Sequence, residues 1–121
     1  MGSTSFTQLI VWQRACEVRQ LVFDASEQFP VHQGYRLTAQ MQTPALSIPA
    51  NIAEGFGRRQ PRDKATFYII AKASAEELSD YVMFAKSRGY WSDVARVSRK
   101  LEEVGRMLRS LVRKTYGMRG S

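Results

Sequence analysis

Apolar positions recur along this chain every three or four residues, and no stretch sustains the alternation of a half-buried strand. From about Phe6 to Gln28, Val11, Ala15, Val18, Val22, Ala25 and then Phe29 make one seam at helical spacing. Ser5, with Gln8 three residues on, offers a capping box, and Pro30 closes the segment. At ~100° per residue, Leu9, Trp12, Cys16 and Phe23 form a second apolar stripe on the same helix. An ordinary surface helix needs one such stripe. Two stripes imply either an unusually deep helix or a second partner, and Leu9, Trp12, Cys16 and Phe23 are the candidates for contact with another copy of the chain.

The next segment, about Tyr35 to Phe56, carries Leu37, Met41, Ala45, Ile48, Ile52 and Phe56 on one face. Pro44 and Pro49 interrupt it; each lacks an N–H and crowds the carbonyl four residues earlier, at ~3 kcal/mol in a regular helix. The segment is expected to kink or break there. Asn51 or Glu54 is expected to hydrogen-bond backbone or a neighbouring helix nearby rather than bind a ligand.

The third segment starts at Pro61, suited to a first helical position, with Asp63 in the first turn. It runs to about Arg88, with Phe67, Ile70, Ser74, Leu78, Tyr81 and Ala85 on one face, and Gly89 is a natural left-handed stop. Ser92 is placed to cap the fourth helix. Its seam is Val94, Val97, Leu101, Val104, Leu108, Leu111 and Thr115, and Gly117 is expected to end it. Four helices of ~20 residues, each ~30 Å long, joined by short loops predict an all-α, antiparallel up-down four-helix bundle. It is expected to be one domain over residues 6–117, with loose tails at 1–5 and 118–121.

Composition narrows the chemistry. One Cys excludes an internal disulfide, and one His excludes a multi-histidine site within a single chain. No apolar run nears the ~18 residues of a membrane span, and nothing reads as a secretory leader. A cytoplasmic protein without membrane contact is expected. Charge is uneven: residues 1–85 hold eight basic and eight acidic side chains, whereas residues 86–121 hold ten and three. The whole +7 therefore lies in the last part, which implies an anionic partner.

Arg99, Arg106, Arg109 and Arg113 fall opposite the apolar seam of the fourth helix, with Lys114 beside them. Guanidiniums spaced by whole turns can follow a phosphate backbone and pair its oxygens in bidentate fashion. Arg58 and Arg59, in Gly55-Phe56-Gly57-Arg58-Arg59, are further candidates for phosphate contact. That run lacks the third glycine of a nucleotide cradle and reads as a helix end and turn. Tyr90, Trp91 and Tyr116 could stack on unpaired bases, but as core or rim aromatics they need no such role. His32 reads as a loop histidine without a catalytic partner. Glu76, Glu77 and Asp80 share a helical face without histidines, so they read as a solvated surface or an ion pair. Cys16 reads as a small buried hydrophobe. No catalytic residue, metal site or cofactor is expected.

Ser47-Ile48-Pro49-Ala50-Asn51-Ile52-Ala53-Glu54-Gly55 resembles the signature run of a bacterial four-helix-bundle family. That family is named for proteins encoded in 23S ribosomal RNA intervening sequences. Leu9-Ile10-Val11-Trp12-Gln13-Arg14-Ala15, Phe29-Pro30, Tyr35-Arg36-Leu37-Thr38-Ala39-Gln40, Glu77-Leu78, Gly89-Tyr90 and Gly105-Arg106-Met107-Leu108 extend the likeness over roughly residues 6–116. The resemblance implies a cytoplasmic homopentamer. It also relates the chain to the accessory protein of diversity-generating retroelements, a basic pentamer that works with a reverse transcriptase and nucleic acid. Two departures stand out: Gln42-Thr43-Pro44 follows where the family places a basic pair, and Ala73 replaces a glycine. The expected function is a non-enzymatic, oligomeric protein binding structured RNA or other nucleic acid. The alternative is an oligomeric scaffold for a protein partner such as a reverse transcriptase.

Overall fold

The computed structural model describes residues 5–120, with one short 3-10 turn at Phe6–Gln8 and four α-helices. These are α1 (Ile10–Ser26), α2 (Val31–Gly57), α3 (Pro61–Ser87) and α4 (Ala95–Gly120). Each helix packs on its sequence neighbours and α1 packs on α4, which closes a four-helix bundle. Among the described residues the backbones of α2 and α4 do not come within 8 Å of each other, nor do those of α1 and α3. Facing pairs run in opposite order on α2 and α3: Ser47 meets Ser74, and Gly55 meets Tyr68. Of the expected tails, residues 1–4 and Ser121 lie outside the described residues.

The core seams of α1 and α4 are as the spacing predicts, from Val11 to Val22 and from Val94 to Leu108. Several boundaries differ. Ser5 caps the 3-10 turn, its Oγ accepting from the Thr7 N–H at 3.2 Å, and α1 starts only after it. Ser92 stays in the connector, because α4 begins at Ala95. Gly117 does not end α4, which continues to Gly120; a glycine with no neighbour to approach can stay helical at a cost of about 1 kcal/mol. Gly89 is the left-handed stop that was expected, with φ +76°.

The core face of α3 is the main correction. Ala65, Tyr68, Ala71, Ala75, Leu78, Val82 and Ala85 are buried, whereas Ile70 is 42% exposed and Phe67, Ser74 and Tyr81 are half-buried. Only Leu78 and Ala85 belong to both faces. Small side chains let α3 approach its neighbours closely, and volume, not hydrophobicity, decided which face turned inward.

The helix α2 does not break at its prolines. Pro44 and Pro49 are both buried within one continuous helix, so packing holds the backbone where two donors are missing. Asn51 donates from Nδ2 to the carbonyl and to the hydroxyl of Ser47, both at 2.9 Å, and Ser47 Oγ lies 2.9 Å from Ser74 Oγ on α3. Glu54 instead pairs with Arg58 at 3.0 Å. At the end of α2, Lys64 Nζ donates to the carbonyls of Gly55 and Phe56, at 3.2 and 2.8 Å. A cation capping a helix C-terminus suits the dipole, and partial burial pulls the Lys64 pKa below its ordinary value. A Cβ on Gly55 would lie 2.7 Å from the Tyr68 ring, so that crossing admits only glycine without a shift.

Candidate nucleic-acid interface

Burying Val97, Leu101, Val104 and Leu108 turns the opposite side of α4 to solvent. Arg99, Arg106, Arg109, Arg113 and Lys114 are all exposed there, and so is Arg96, which the sequence reading did not single out. Among the described residues none of these six makes an ion pair. Arg99, Arg106 and Arg113 share a seven-residue spacing and so run in line along the helix. Arg106 and Arg109 line a groove with Lys72, Glu76 and Glu102 between α3 and α4.

The acidic residues near this row are mostly engaged elsewhere. Glu103 accepts from Arg14 Nε at 3.1 Å, and Glu17 accepts from Arg14 and from Lys100. This four-residue network ties α1 to α4. The hydrogen bond from Lys100 is the largest influence holding the Glu17 carboxyl below its ordinary pKa, and the Arg14 charge adds to it. Two cations cancel two anions inside the network. Glu102 remains the one exposed carboxylate within the helical row itself.

Arg58, a candidate for phosphate contact, is exposed but already has partners. Its guanidinium pairs with Glu54 and lies 4.6 Å over the Phe67 ring, so its contacts tie it to α2 and α3. Arg59 is exposed in the turn after α2. His32 stands exposed in the first turn of α2 rather than in a loop. Glu76 is held by Lys72 at 2.6 Å, and Glu77 accepts from the Tyr81 hydroxyl at 3.2 Å. Among the described residues no group of three His, Cys, Asp or Glu is placed to hold a metal, and no helix is long and apolar enough to cross a membrane.

The second stripe of α1 is half-buried. Leu9, Trp12 and Phe23 pack against the core, and Trp12 meets Phe6 edge-on at 5.3 Å. Cys16 is half-buried too, and desolvation pushes its thiol pKa up, away from reactivity. Sequence reasoning missed the outer face of α2. Ala39, Thr43, Leu46, Ala50, Ala53 and Gly57 repeat there at four-three spacing, and no charged residue occurs from Leu37 to Ala53. Phe23 and Leu46 line one groove with Arg19, Asp24 and Glu27, and Phe6, Ala50, Ala53 and Gly57 line another with Glu54 and Arg58. The α1 stripe and the α2 seam thus share one flank, on which charges of both signs nearly balance and leave it close to neutral overall.

A family model described as 23S rRNA-intervening sequence protein matches residues 7–110. No curated protein matches the chain.

Proposed function

The chain belongs to the 23S rRNA-intervening sequence protein family, and from that premise we propose that it is a non-enzymatic, basic, self-associating cytoplasmic protein that binds structured RNA through α4. The observation that carries this reading is the row of exposed arginines on α4 without ion-pair partners among the described residues. Such a row attracts phosphate through charge and releases condensed counterions. Four phosphate contacts, at ~0.7–0.9 counterion each, imply a roughly 50- to 150-fold loss of affinity between about 50 and 200 mM salt. A binding titration on a folded RNA at the two salt concentrations checks this. An affinity independent of salt would remove the electrostatic basis of the reading.

Self-association is assigned to the neutral flank that Leu9, Trp12, Cys16 and Phe23 share with the α2 seam, and the family likeness implies five subunits. Leu46 is 51% exposed, so Leu46→Glu should leave the fold intact while dissociating the oligomer. Light scattering at micromolar concentration is the check: a monomeric wild type ends the idea, and an assembled, folded variant moves the contact elsewhere. The same neutral flank favours a second reading, a scaffold for a protein such as a reverse transcriptase. Co-purification with one protein that survives high salt would favour it over RNA.

A further inference from the structure

The basic row does not stop at Arg99. Towards the start of α4, Arg96 lines a groove with Arg99 and Arg106, and it also lines a second one with Trp91 and Asp93. On its far side this second groove is walled by Leu21, Asp24 and Ala25 of α1. It differs in kind from the rest of the row. Its lining includes apolar Leu21, Ala25 and Val97 and the half-buried indole of Trp91. Two carboxylates stand at it, which would repel a phosphate rather than hold one. Asp24 is already held by Gln20 at 2.9 Å, whereas Asp93 is exposed and has no hydrogen bond or ion pair among the described residues.

A largely apolar groove with an indole and one free carboxylate, next to a track of cations, matches a base rather than a backbone. We propose that the Trp91 groove holds an unpaired guanine of RNA whose phosphates continue along Arg96 and Arg99. The indole supplies a stacking surface, as aromatic side chains do for splayed-out bases. A carboxylate only accepts hydrogen bonds. Guanine presents two neighbouring donors, N1–H and N2–H, on its Watson–Crick edge, so one Asp93 carboxylate can take both. Adenine and cytosine each present a single donor group on that edge, and uracil a single imide N–H. Phe29, 6.5 Å from Trp91, backs the indole and limits its movement. This inference rests on the reading of α4 as an RNA-binding helix and adds a site of single-strand, base-dependent contact to it.

Trp12 and Trp91 are the two tryptophans, so Trp12→Phe leaves Trp91 as the sole indole reporter. That protein is titrated with a short oligouridylate and with the same strand carrying one central guanosine. The guanosine strand should quench the Trp91 emission and bind roughly tenfold tighter. Asp93→Asn, which alters an exposed side chain and removes one negative charge, should erase the preference for guanosine, with any gain from the lost charge shared equally by both strands. Trp91→Ala should lower affinity for the guanosine strand by about 5- to 100-fold without changing affinity for duplex RNA. Equal binding of the two strands, or a preference that survives Asp93→Asn, overturns the guanine site. If duplex RNA then still binds with a steep salt dependence, the role of α4 stands without it; if no RNA binds at low salt, both fall.

Discussion

Replacing Arg99, Arg106, Arg109 and Arg113 together by Glu should reduce RNA affinity on the order of a thousandfold at ~0.1 M salt. Losing four cations removes about three units from the slope of log affinity against log salt, and four new anions add repulsion. The fold should survive, because all four side chains are exposed and none holds an ion pair among the described residues. Like charges one helical turn apart, such as positions 109 and 113, cost only about 0.2–0.5 kcal/mol per pair. The variant is checked by a binding titration across salt, with circular dichroism confirming the helix content. Undiminished affinity would mean that the row serves solvation alone.

A core truncation in α2 should produce the largest loss of stability. Ile48 has no exposed surface and lies directly before Pro49, where the helix lacks one of its own hydrogen bonds. Packing therefore holds both the side chain and the local backbone. Ile48→Ala is expected to cost about 2–5 kcal/mol, at the upper end of that range because the site cannot relax along a self-supporting helix. That is a large share of the roughly 5–15 kcal/mol that stabilises a typical domain. Leu46→Ala, two residues away but half exposed, should stay within ~0.5 kcal/mol. Urea denaturation of the two variants side by side gives the comparison. Equal midpoints would show that α2 is not held by its buried face.

What could be read before the structure follows from which signals are local. The seams of α1, α2 and α4 are built largely from Val, Leu, Ile and Met at regular spacing, and the bundle buries most of each, leaving Ala25, Phe56 and Leu111 half-buried. In α3 the large apolar residues Ile69 and Ile70 lie outside while Ala65, Ala71 and Ala75 lie inside. A hydrophobicity pattern weighs isoleucine above alanine, but the closeness of neighbouring helices selects the smaller residue. The arginine row was legible for the same local reason, since its members share one helix. The pairing of Glu17 and Glu103 with Arg14 and Lys100, which leaves the row with little opposing charge, joins residues far apart in the chain. So does the groove that Trp91 lines together with Asp24 and Ala25. No spacing rule along one element anticipates either. The contacts of Arg58 with Glu54 and the Phe67 ring were likewise not read from its place in the turn after α2.

The separation of α2 from α4 has a consequence for how the molecule approaches its target. One helix presents an uncharged outer seam and the other a row of six cations without ion pairs among the described residues, and their backbones do not come within 8 Å of each other. The charge distribution is therefore lopsided, and the protein carries a permanent dipole in addition to its net +7. Near a polyanion the field exerts a torque as well as a pull, felt within the ~10 Å screening distance at 0.1 M salt. A molecule that arrives in any attitude is turned α4-first before it touches. The neutral seam of α2 is then aimed away from the nucleic acid, clear of its phosphates and open to whatever binds there.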